Sequence, residues 1–143
     1  MFDSIKPIVR QDTRRHGATL IDINYFENYG DDVKGNEQAY LVKFYTDDTE
    51  TPIFSKIGTT KCTCNTRIRR EIAEYREIGF NILSVDICKI VQCGELPAES
   101  VESYLRALLM KKYPNTWHKN DRFFNCDVST ELFTNLCEMY LSM

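Results

Sequence analysis

Apolar positions change their spacing several times along the 143 residues, and each change marks a new element. Residues 18–26 (ATLIDINYF) alternate well enough for a strand, and residues 39–45 (AYLVKFY) are a strand by their aromatic and β-branched content. Between them, residues 27–38 are a loop rich in Gly, Asn and Asp. The polar turn 46–52 leads to a short strand over 53–58 (IFSKIG), expected to pair with 39–45 as a hairpin. In residues 65–78, Ile68, Ile72, Tyr75 and Ile78 recur at helical spacing, and Gly79 stops the helix. Residues 80–91 return to a strand, with Leu83, Val85 and Ile87 on one face and Ile82, Ser84 and Asp86 on the other. Pro97 opens the next helix, with Glu99 and Glu102 in its first turns and a stripe of Val101, Leu105, Leu108 and Leu109; Pro114 ends it. Residues 122–126 are a short strand, and Ser129 caps a last helix carrying Leu132, Phe133, Leu136 and Met139. The first 17 residues read as a polar lead-in with helical character, closed by Gly17. The order β-β-β-α-β-α-β-α predicts an α/β domain of the α+β kind: a small central, mostly antiparallel sheet flanked by helices.

Composition narrows the class. Sixteen Phe and Tyr residues and one Trp are enough aromatic mass for a folded core. No run approaches the ~18 apolar residues of a membrane span. The N-terminus lacks the apolar stretch of a signal peptide, so a cytoplasmic setting with reduced thiols is expected for the six cysteines. The absence of a CxxC pair, with only His16 and His118 to assist, argues against zinc.

Charge is uneven. The net charge is −3, which for the whole chain argues against a nucleic-acid partner. Residues 21–50 carry eight acids against two lysines, net −6. Residues 56–76 carry six bases against two acids, and residues 106–122 carry five against one, each net +4. Brought together by folding, the two basic segments would make a phosphate-binding face that includes Lys61, Arg69, Arg70, Lys111 and Lys112. The acidic stretch 22–50 suits a different partner, a basic protein.

The chemistry concentrates in the turn Ser55-Lys56-Ile57-Gly58-Thr59-Thr60-Lys61 and the helix that follows. Gly58 permits a left-handed backbone or the close approach of another chain segment. Arg67, in the first turn of the helix, can bind phosphate through its planar fork. With Ala39-Tyr40-Leu41-Val42 before it, Lys56-Ile57-Gly58-Thr59-Thr60-Lys61 within it, Arg67-Ile68 after it and Glu102 further on, this arrangement resembles the GIY-YIG nuclease superfamily. It is most similar to the phage and bacterial branch whose second motif reads KIG. Arg122-Phe123-Phe124 is similar to the aromatic pair that closes that branch. The resemblance covers residues 38–126; residues 1–37 stand as an N-terminal extension, with a strand over 18–26 and an acidic loop, and 127–143 as a C-terminal helix packed on the domain.

The resemblance implies a DNA endonuclease using one divalent ion, Mg²⁺ or Mn²⁺, in a bacterial or phage-infected cell. It gives Tyr40 the task of activating or orienting water. It places Lys56 where other branches carry a second tyrosine, gives Arg67 the scissile phosphate and Glu102 the metal. Tyr45 is the alternative to Tyr40, Arg69 or Arg70 to Arg67, and Glu99 to Glu102. Where many members carry histidine, four residues past Arg67, this chain has Glu71, which repels phosphate unless it shares a cation. A relative that keeps the fold and binds nucleic acid or protein without cutting is the other implied reading.

Overall fold

Every residue of the segment Gln38–Tyr45 is buried, which requires a strand paired on both edges and covered on both faces. In the computed structural model, which describes residues 8–46, 51–114, 117–118, 122–124 and 126–143, that strand is the middle of the sheet. The elements run β1 (Ile8–His16), β2 (Thr19–Phe26), β3 (Gln38–Tyr45), β4 (Phe54–Thr60), α1 (Cys64–Glu77), β5 (Ser84–Gln92), α2 (Ala98–Lys112), β6 (Trp117–His118), β7 (Arg122–Phe124) and α3 (Thr130–Leu141). They form one seven-stranded sheet in the order β1-β2-β5-β3-β4-β7-β6. Only β2 and β5 pair in parallel; the other pairs are antiparallel. The chain is an α+β domain with a mostly antiparallel sheet between helices. No described helix is long and apolar enough to cross a membrane.

Alternation along the strands divides the core in two. Tyr40, Val42 and Phe44 join Ile21, Ile23, Val85 and Ile87 under Ile68, Ile72 and Tyr75 of α1. Ala39 and Leu41 point the other way and meet Val101, Leu105 and Leu109 of α2 and Phe133 and Cys137 of α3. The buried cysteines Cys126 and Cys137 act there as small apolar side chains.

The start of α1 is fixed from a distance. Thr63 caps it through Thr66 N–H, but its first turn holds no acid. Asp32, from the loop between β2 and β3, supplies the negative charge instead. Its two oxygens accept the N–H groups of Cys64 at 2.6 Å and Asn65 at 3.0 Å. Gly79, at φ 108°, ends the helix.

Four expectations need correction. The N-terminal lead-in is not helical over its described part: residues 8–16 are β1, joined to β2 through Gly17 at φ 61°. The extension is thus built into the sheet. Most β1 side chains are exposed, so no apolar periodicity announces the strand. The fifth strand begins at Ser84 rather than residue 80, where parallel pairing with β2 starts. Met139 of α3 is 54 % exposed, because the buried face of that helix runs through Phe133 and Cys137. The two-residue strand β6 was not expected. Of the turn at 46–52, residues 47–50 lie outside the described part.

Candidate active site

Among the described residues, strand β7 pairs with β4 from Phe54 to Lys56. Phe123 is buried in the core and Phe124 stacks on Phe54, while the Arg122 guanidinium lies 5.2 Å from the Tyr75 ring centre. Beside the C-terminal half of β4 lies a polar cavity of about 420 Å³, lined by Tyr40, Lys56, Gly58, Thr59, Arg67, Glu102 and Arg106.

Each lining residue arrives by a local rule. Tyr40 and Lys56 share the α1 face of the sheet, since Tyr40 lies opposite Gly58 and Val42 opposite Lys56. Gly58 is neither left-handed nor approached by backbone. A Cβ at this position would run into Cζ and Oη of Tyr40, with Cε1 at 2.9 Å. The missing side chain is the space the phenol occupies, and it puts the hydroxyl end of an otherwise enclosed Tyr40 at the cavity wall. Arg67 enters from the first turn of α1 with 37 % of its side chain exposed. Glu102 and Arg106 come from α2, one turn apart and 3.6 Å from each other.

Behind the wall sits Glu71. Its Oε2 accepts the Tyr40 hydroxyl at 2.9 Å and Arg67 Nε at 3.3 Å, and it pairs with the Lys56 ammonium. Lys56 is 5 % and Glu71 1 % exposed, so this is a buried ion pair. Burial, and then the Glu71 charge, hold the Tyr40 phenol well above its usual range; Arg67 pulls weakly the other way. Tyr40 is therefore a protonated donor in the resting protein. Burial disfavours the Arg67 cation, but Glu71 and Tyr40 together outweigh it and hold its pKa above the ordinary value.

The structure thus brings Tyr40, Lys56, Arg67 and Glu102 together and leaves their alternatives elsewhere. Tyr45 faces the other side of β3, beside Asp86. Glu99 lines a neighbouring cavity with Glu37, Thr60 and Lys61. Arg69 and Arg70 are exposed on α1. The two basic segments do not make one face: α1 covers one side of the sheet and α2 the other, meeting at the cavity through Arg67 and Arg106. Lys111 and Lys112 are exposed about 8–9 Å beyond Arg106 along α2, at 1.5 Å rise per residue. Lys61 is exposed and lies 3.9 Å from Glu37. Part of the acidic stretch works inside the fold, with Asp32 on α1 and Glu37 accepting Ala98 N–H at the start of α2.

Sequence reasoning gave Glu71 no role beyond repulsion. The usable signal was its place among Ile68, Ile72 and Tyr75, on the face of α1 that must be buried. A carboxylate there needs cations beside it. No protein-family model matches the chain, and neither a curated protein nor a solved structure was found to match it.

Proposed function

We propose that this chain is a small endonuclease of the GIY-YIG type that hydrolyses phosphodiester bonds of DNA in the cytoplasm with one divalent cation, Mg²⁺ or Mn²⁺. The observation that carries the reading is the meeting of Tyr40, Lys56, Arg67 and Glu102 on one polar cavity from four separate elements. Phosphodiester hydrolysis needs a proton acceptor for water, cations for the phosphoryl oxygens and a polarising metal. Lys56 and Arg67 suit the cations, Glu102 the metal, and the Tyr40 hydroxyl the placing of the water.

The donor set of the cavity suits a metal that needs few protein ligands. Among the described residues no three His, Cys, Asp or Glu side chains gather as a metal cage. A lone carboxylate at a polar cavity fits Mg²⁺, which keeps most positions for water and phosphate oxygens. Glu102, 18 % exposed and steadied by Arg106, would be its ligand. Bound there, the ion supplies Lewis-acid polarisation of the phosphoryl oxygen. Arg67, anchored through Nε, offers a planar cation to the phosphate. Lys56 adds a fixed charge behind it, and the Tyr40 hydroxyl orients the attacking water.

Single-turnover cleavage of duplex DNA with Mg²⁺ or Mn²⁺ tests the reading. Wild type should cut and stop on chelation. Glu102→Gln should be at least 100-fold slower with its fold intact. Arg67→Ala should lose cleavage by a similar factor while DNA affinity falls little, because its charge matters most in the transition state. No cutting with either ion, or Glu102→Gln at the wild-type rate, overturns it. One observation favours the binding-only alternative: Glu71 already pairs with both Lys56 and Arg67 and offsets one of their two charges. That alternative expects salt-sensitive DNA binding, or capture of a protein, with no cleavage.

A further inference from the structure

Glu71 is the buried charged group that the nuclease chemistry leaves without a task. All three of its donors, from β3, β4 and α1, converge on Oε2. The other oxygen, Oε1, is buried with no hydrogen-bond partner among the described residues. A carboxylate that merely tied α1 to the sheet would do better with both oxygens satisfied, because a buried acceptor without a donor is destabilising. The titratable and charged groups around it are Tyr40 of β3, Lys56 of β4, and Arg67 and Cys64 of α1. Burial keeps the Cys64 thiol protonated, and the Tyr40 hydroxyl is a neutral donor that touches Glu71 and also lines the cavity.

Building on the nuclease reading, we propose that Glu71 is a positioning residue that takes the Tyr40 proton while Tyr40 takes one from the attacking water. The water oxygen forms its bond to phosphorus as its O–H bond breaks. That proton goes to Tyr40 Oη, and the original phenol proton moves 2.9 Å away to Glu71 Oε2. The leaving oxygen separates from phosphorus with its electron pair and takes a proton from solvent. Glu71 later returns its proton through Tyr40 to water. Tyr40 never has to become a phenolate beside a carboxylate. As Glu71 is neutralised, Lys56 and Arg67 lose the anion they had balanced, and their charge turns to the phosphoryl oxygens as these become more negative. This stabilisation exists only in the transition state.

The test combines variants with an isotope measurement on the wild type. Glu71→Gln keeps the shape and an acceptor but cannot take the proton. If the relay operates, this variant, folded by circular dichroism, cuts at least 100-fold slower in single turnover. Tyr40→Phe falls by a similar factor, and the double variant falls no further. Because uncoupling a buried ion pair can unfold the protein, wild type is also measured in H₂O/D₂O mixtures. Two protons in flight give a bowed dependence of rate on deuterium fraction. A linear dependence, or Glu71→Gln near the wild-type rate, overturns the relay while leaving the nuclease reading in place. A wild type that cuts nothing overturns both.

Discussion

At Gly58 a single methyl group decides whether Tyr40 can reach Glu71. The phenol fills the volume where a Cβ would stand, so Gly58→Ala must push the ring aside or bend β4. Overpacking of this kind costs about 1–3 kcal/mol. It should also break the 2.9 Å bond from Tyr40 to Glu71. The variant is expected to show a lower urea midpoint together with cleavage near the level of Tyr40→Phe; wild-type stability and rate would mean that the phenol does not depend on that space. The reason this contact was hidden in the sequence is instructive. A glycine after a strand suggests a turn or a backbone contact, whereas here the neighbour is a side chain across the β3–β4 ladder, and only the register Tyr40↔Gly58 reveals it. The four site residues were legible because each keeps its place relative to a short local pattern. Glu71 was visible only as an unlike residue, since the meaning of a buried charge lies in the Lys56 brought to it by another strand.

At the scale of elements, α1 carries both Arg67 and Glu71, so what holds its first turn also holds the site. Asp32 does this from a loop 32 positions before the helix's first residue, Cys64, by accepting the Cys64 and Asn65 N–H groups and a hydrogen bond from Gln38. Asp32→Ala removes these acceptors and should destabilise the protein by about 2 kcal/mol, in the range of lost helix caps and charge-assisted hydrogen bonds. Asp32→Asn, which retains one acceptor, should recover part of the loss. Urea unfolding of the three proteins decides it, and an Asp32→Ala midpoint equal to wild type would show that Thr63 suffices alone. The helices were readable because each buries a periodic stripe. Strand β1 was not, because it lies at the sheet's edge with most of its side chains in water and its pairing is specified by β2 rather than by its own pattern. The internal contacts of Asp32 and Glu37 were hidden for the same reason, since they are made to helices far along the chain.

Over the whole molecule, the site lies where Arg67 of one helix layer and Glu102 and Arg106 of the other meet beside β4, so its chemistry depends on both cores staying packed. The core under α2 and α3 contains thiols whose protonation folding controls. Burial pushes Cys88 and Cys137 up to about 12, with the Lys43 and Lys89 cations only partly opposing it. An unfolded thiol titrates near ~8.5. The folded value is the higher one, so the folded state holds the proton more tightly. The resulting stability is fully present below pH ~8.5 and is lost as pH rises toward 12, where the unfolded chain already carries thiolates. Each such thiol then costs about 1.4 kcal/mol per pH unit within that window. Between pH 8 and pH 10 the pair should remove about 4 kcal/mol, a large share of the ~5–15 kcal/mol that holds a domain folded. Urea unfolding under reducing conditions should therefore show a much lower midpoint at pH 10 than at pH 8. Cys137→Ala should flatten that pH dependence even where it lowers stability overall, because the thiol has gone from both states. Equal midpoints at the two pH values would mean that these thiols ionise in the folded protein as freely as in the unfolded chain, and that the second core admits water the structure does not allow it.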